Sequence, residues 1–164
     1  MKKTYHTDAC TASQPAALLG LHASDKLDIA YNAEEETLLV HWEGEASTAE
    51  IKAGYDWIIS VVRELKPKKW LLDFHKRNAI RRRDQRWVFK EVFPEVLRQV
   101  KDDVFVAVVL PVTLLHGLVA DLDGDELMDG NNFLIIQHFL YQEEGQRWLN
   151  EMYRFKQAAQ NRAG

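Results

Sequence analysis

The sequence predicts a single α/β domain: a mixed, mostly parallel five-stranded sheet with helices packed on it, in the order β-β-α-β-α-β-α-β-α. Three observations carry this. Leu27, Ile29 and Tyr31 alternate with Asp28 and Ala30, and Leu38, Val40 and Trp42 alternate with Leu39 and His41, the period of two of half-buried strands. Ile51, Tyr55, Ile58, Val62 and Leu65 then recur at helical spacing. Residues 104–110 form an unbroken apolar run rich in Val, as in a strand covered on both faces. Helices separate the last three strands, so these must run parallel, whereas the first two are close enough for a hairpin. Such alternation gives the layered α/β arrangement.

Taken in order, residues 1–24 are rich in Ala, Ser, Thr and Gln without a period and read as a loosely ordered arm, with the domain spanning 25–160. The polar run from Asn32 to Glu36 is the hairpin loop. Ser47 and Glu50 have the spacing of a capping box at a helix start. Pro67 closes that helix, and a strand follows over 70–74 with Asp73 inside it. Asp84 is expected to cap a second helix whose apolar face is Phe89, Phe93, Val96 or Leu97, and Val100, with Pro94 kinking or splitting it. A short helix is expected over 113–128, weakened by Gly117 and Gly124. Residues 133–140 read as the last strand, and 143–160 as a closing helix with Trp148, Met152 and Phe155 on its apolar side.

The 164-residue length fits one domain, able to bury roughly 70% of its unfolded surface. With 46% hydrophobic and 28% charged residues, the composition excludes a disordered or fibrous chain. A formal charge of -4 argues against an extended nucleic-acid footprint, which needs a basic excess. Cys10 is the only cysteine, so no intramolecular disulfide forms and the expected location is cytoplasmic. The start, through Pro15, lacks the apolar stretch of a signal peptide, and no apolar run approaches the roughly 20 residues of a membrane span. No membrane insertion is expected.

Three stretches bear a resemblance: TrpLeuLeuAspPhe at 70–74, PheProGluValLeu at 93–97 and PheLeuTyrGlnGluGluGlyGlnArgTrpLeu at 139–149. Through them the chain resembles, over about residues 26–150, the STAS or SpoIIAA-like (anti-sigma-factor antagonist-like) family, grouped with SEC14-type lipid-binding modules. The resemblance implies a STAS-like fold and a non-catalytic regulatory or ligand-sensing role. It also implies a partner surface at the loop after the third strand and the helix start beyond it. Regulatory members carry a phosphorylatable serine there, in Asp-Ser-Ser-Gly. This chain departs from that pattern, with no Ser or Thr between Phe74 and Trp87, although Asp73 matches the aspartate that precedes the loop.

The sharpest local feature is the basic cluster Lys76, Arg77, Arg81, Arg82, Arg83 and Arg86, beyond the carboxyl end of a central strand, where ligands favour open α/β sheets. Arginine forks suit carboxylate and phosphate, so an anion or an acidic partner surface is one reading. A solvated helix start, its arginines paired with nearby acids, is the other. Without an interleaved aromatic platform, nucleic acid is not an expected partner.

His75, His116 and His138 lie at or after strand ends, which puts them on one rim or on opposite faces. No metal is expected, because no HisGluXaaXaaHis or paired-cysteine spacing accompanies them. Asp121, Asp123 and Asp125 have calcium-loop spacing, but Glu126 and Asn132 stand where the loop needs Gly and Glu. No nucleotide fingerprint, nucleophile elbow or cofactor motif is present. The five tryptophans read as core residues, any exposed ones marking a homodimer surface.

The leading expectation is a non-catalytic regulatory or scaffolding module that binds a protein through residues 75–87. The alternative is a sensing domain for an anionic small molecule or lipid, with a crevice formed by Asp73, His75, Arg77, Thr113, His116 and Tyr141. An enzyme using Asp73 and His75 as an acid/base pair ranks third.

Overall fold

The computed structural model describes residues 18–115 and 126–163. Three strands, β1 (Leu18–Ala23), β2 (Leu27–Asn32) and β3 (Thr37–Gly44), lead into helix α1 (Thr48–Leu65) and strand β4 (Lys69–Arg77). A continuous helical segment follows, made of α2 (Arg82–Trp87), a π-helical turn (Val88–Val92) and α3 (Phe93–Val100). Strands β5 (Val104–Val109), β6 (Glu126–Asp129) and β7 (Asn132–Phe139) and helix α4 (Gln142–Ala163) complete the described chain.

The sheet has seven strands in the order β1-β2-β3-β4-β5-β7-β6. Its centre, β3, β4, β5 and β7, is parallel. Antiparallel strands flank it on both sides, β2 and β1 beside β3, and β6 beside β7. The α/β class is as expected, but the sheet is larger and less parallel than the five strands read from the sequence. One added strand, β1, comes from residues assigned to the arm. It lies on the sheet edge with Leu18 and Leu19 exposed, and a register shift between Gly20 and His22 breaks its alternation. The other, β6, occupies residues expected to be helical. Asp129 pairs with Asn132 across Gly130 and Asn131, and Gly130 adopts φ 62°, the left-handed conformation such a tight hairpin requires.

Helix α1 starts as its sequence dictates. Ser47 Oγ accepts from the Glu50 amide at 3.1 Å, and the Glu50 carboxylate accepts from the Ser47 amide at 2.9 Å. Its buried stripe is Ile51, Gly54, Tyr55, Ile58 and Val62. Gly54 is required by a close approach, since a Cβ there would sit 2.3 Å from Trp42 Cη2.

One expectation for the following segment needs correction. Asp84 is not its cap: α2 begins after Arg81 without a side-chain cap, and Asp84, its third residue, is buried and accepts from Thr48 Oγ1 at 2.8 Å. Pro94 interrupts the α-helical pattern, as expected: a π-helical turn separates α2 from α3. The proline lies in the first turn of α3, and the π-helical turn just before it accommodates the missing N–H.

Helices α1 to α3 cover one face of the sheet and α4 the other. Alternation sends Leu38, Val40, Trp42, Trp70 and Leu72 to the first face, and Leu71, Phe105, Ala107 and Val109 to the second. Every residue of β5 is buried, as its unbroken apolar run predicts. Trp42 and Trp70 are core residues, whereas Trp57 is exposed and packs beside the His22 ring. Phe155, expected on the apolar side of the closing helix, is exposed. Among the described residues no helix is long and apolar enough to cross a membrane.

Candidate functional site

The register between β3 and β4 decides where the polar residues go. Leu39 pairs with Leu71 and His41 with Asp73, but Glu43 then pairs with Lys76 and Gly44 with Arg77. Strand β4 therefore carries one extra residue, a bulge, and residues beyond it exchange faces. Asp73 stays with Leu39, Leu71 and Gln142 on the α4 side, while Arg77 crosses to join Trp42, Tyr55 and Leu72 under α1 and α2. The expected single rim is divided between two faces of the sheet.

On the α1 side a cavity of about 80 Å³ separates the sheet from the α2–π–α3 segment. Its walls are mostly apolar, including Leu72, Phe74, Val88, Phe93, Val108 and Ile136. Set among them are Trp42, Arg77 and Asp84, all at least nine-tenths buried. Arg77 Nη2 donates to the Ala79 carbonyl at 2.8 Å, but its Nε has no hydrogen-bond partner among the described residues. Trp42 Nε1 and Asp84 Oδ2 also lack one, although the exposed Arg81 guanidinium lies 4.0 Å from the latter. Burial draws the Arg77 guanidinium below its ordinary value, against the opposing charges of Tyr55 and Asp84, and burial raises the Tyr55 phenol. An unmade hydrogen bond on a buried polar group costs roughly 1–3 kcal/mol, so three around one cavity call for an explanation.

On the α4 side Asp73 is a hub. Its carboxylate accepts from the His75 amide at 3.0 Å and from Gln142 Nε2 at 2.9 Å. His75 Nδ1 lies 2.5 Å from Oδ1, and His41 Nδ1 lies 3.1 Å from Oδ2. Burial would raise the Asp73 carboxyl, yet these hydrogen bonds from His75 and His41 outweigh it and hold the carboxyl below its ordinary value. His41 Nε2 in turn faces Glu43 Oε2 at 2.9 Å, and that contact lowers the Glu43 carboxyl. Asp73 and His75, which strand spacing alone did not force together, are in contact. Ligand-type atoms of His41, Asp73 and His75 all lie within 4.8 Å of one another.

The remaining expected site residues are dispersed. Arg81, Arg82, Arg83 and Arg86 are exposed along the start of the α2 segment. Thr113 and the exposed Tyr141 line neither the cavity nor the Asp73 cleft. His138 lines the cavity, on the opposite face from His75. His116, Gly117, Gly124 and the aspartates at 121, 123 and 125 lie outside the described residues. The sequence reading missed His41, Glu43, Gln142 and the cavity roles of Trp42 and Asp84. Strand alternation already put His41 on the face opposite Val40 and Trp42, but only the β3–β4 register sets it beside Asp73. Comparison with known proteins found no matching family model, curated protein or solved structure.

Proposed function

We propose that this protein is a non-catalytic sensing module that binds a small amphipathic molecule in the cavity between the sheet and the α2–π–α3 segment. One observation carries the reading: three residues of an apolar wall hold polar atoms without hydrogen-bond partners among the described residues, namely two donors, Trp42 Nε1 and Arg77 Nε, and one acceptor, Asp84 Oδ2. Binding sites take this form, an apolar lining with a few placed polar groups. The matching ligand has a compact apolar body and a head that both accepts and donates, such as a hydroxyl, an amide or a protonated acid. Buried water satisfying the same atoms is the competing account.

A thermal-shift panel of phenols, benzyl alcohols and short-chain alcohols, amides and acids tests the reading. A ligand at about 100 times its dissociation constant adds about 2.7 kcal/mol of stability, a rise of several degrees in Tm. The rise is expected in the wild type and absent in Trp42→Phe. A panel with no stabilising member contradicts the reading.

A second reading, binding of an acidic protein surface, is favoured by the exposure of Arg83 and Arg86 on the outer side of the same segment. If it holds, Arg83→Ala with Arg86→Ala folds normally and loses partner capture while keeping the thermal shift.

A further inference from the structure

We propose that His41, Asp73 and His75 form a binding site for a divalent transition-metal ion of the zinc class, on the face of the sheet opposite the cavity. The proposal does not rest on the ligand-binding reading. Three features support it, beginning with composition. Two imidazole nitrogens and a carboxylate oxygen within 4.8 Å of one another are the donor set of open, three-ligand metal sites, in which a fourth position is left to water or substrate.

The second feature is the hydrogen bonding of His41, whose two ring nitrogens each face a carboxylate, Asp73 at 3.1 Å and Glu43 at 2.9 Å. A neutral imidazole has one N–H to offer two acceptors. A second proton or a metal cation on Nδ1 resolves the conflict; the metal leaves Nε2–H to donate to Glu43, which is the carboxylate–histidine–metal arrangement that orients metal ligands. Gln142, donating to Asp73 Oδ2 at 2.9 Å, holds the carboxylate in the same way.

The third is access combined with order. The Asp73 side chain is only 5% exposed, whereas those of His41 and His75 are 24% and 45% exposed, so the buried ligand is fixed and the outer two open to solvent. Ligand atoms about 2.1 Å from a tetrahedral ion lie about 3.4 Å apart. The His41–Asp73 pair is within a few tenths of an ångström of that. His75, now at 2.5 Å from Oδ1, swings outward by about 1 Å, a movement open to a half-exposed ring.

Titration of the chelator-stripped full chain with zinc chloride by calorimetry is the test, repeated with His75→Ala, Glu43→Gln and His22→Ala. His75 is half-exposed, so its variant keeps the fold, which circular dichroism verifies. The expected result is one equivalent of zinc bound by the wild type and by His22→Ala. His75→Ala is expected to weaken binding at least 10-fold, and Glu43→Gln about 10- to 100-fold. No heat of binding at 100 µM zinc, or equal affinity in wild type and His75→Ala, overturns the proposal.

Discussion

Removing the buried charges at the cavity separates a binding role from a structural one. Arg77 is 7% exposed and Asp84 5% exposed, and no direct hydrogen bond joins them, although the Asp84 charge favours the ionised guanidinium. Taking away one member of a buried charge pair generally costs about 3–5 kcal/mol, because the other is left uncompensated. With Arg81 still 4.0 Å from Asp84, the loss for Arg77→Met falls at the low end, about 3 kcal/mol.

The double variant Arg77→Met with Asp84→Leu removes both charges and two of the three unpartnered atoms. It frees the half-buried Thr48 hydroxyl and the carbonyl of the exposed Ala79, both of which water can reach. Apolar replacement of a buried pair is commonly neutral or stabilising, so the double variant is expected at or above wild-type stability. Urea unfolding at pH 7, with a constant m-value across the four proteins, measures the cycle. At the same time the double variant is expected to lose every thermal shift in the amphipathic panel. Single losses that simply add in the double variant refute the reasoning, and so does a double variant that keeps the ligand response.

Other expectations concern the scaffold. Gly54→Ala gains about 1 kcal/mol of helix propensity but drives a methyl to 2.3 Å from the buried Trp42 ring, so a net loss of about 2 kcal/mol is expected in urea unfolding. Asp102 links Lys68, at 3.0 Å, and Lys156 to the start of β5. Partial burial would raise its carboxyl, but hydrogen bonds from Lys156 and Lys68 bring it down from 3.8 to about 2. A depressed folded-state value means stability that is full above pH 3.8 and lost as pH falls toward 2. Allowing for solvent screening, Asp102→Asn is expected to lose about 1 kcal/mol at pH 7 and to flatten the acid limb of the stability–pH curve. Ser47→Ala removes half of the capping box and is expected to lower stability by about 1 kcal/mol in the same assay.

Where local chemistry decided an element, the sequence was a good guide. The Ser47–Glu50 box, the α1 stripe from Ile51 to Val62 and the all-buried β5 follow from spacing and composition and are found in place, whereas Leu65, expected on that stripe, is exposed. Edge strands were harder, because β1 buries little and its register shift erases the alternation that would reveal it. Strand β6 was hidden by a competing signal, its Gly130–Asn131 turn having been weighed as part of a calcium loop. The candidate sites were least legible. Asp73, His75 and Arg77 were singled out, but the bulge in β4 sends Arg77 to the other face, and one extra residue in a strand leaves no mark on the pattern. His41 reaches Asp73 only through the β3–β4 register, which is long-range information.

The indole N–H of Trp42 gives the most direct measurement, a proton–nitrogen correlation spectrum recorded while the best-stabilising member of the panel is added. Trp42→Phe assigns the resonance, and the exposed Trp57 indole serves as internal control. The account predicts that the Trp42 signal moves in a saturable way while that of Trp57 stays fixed. A Trp42 signal that never moves in the folded protein, whichever member of the panel is added, contradicts it.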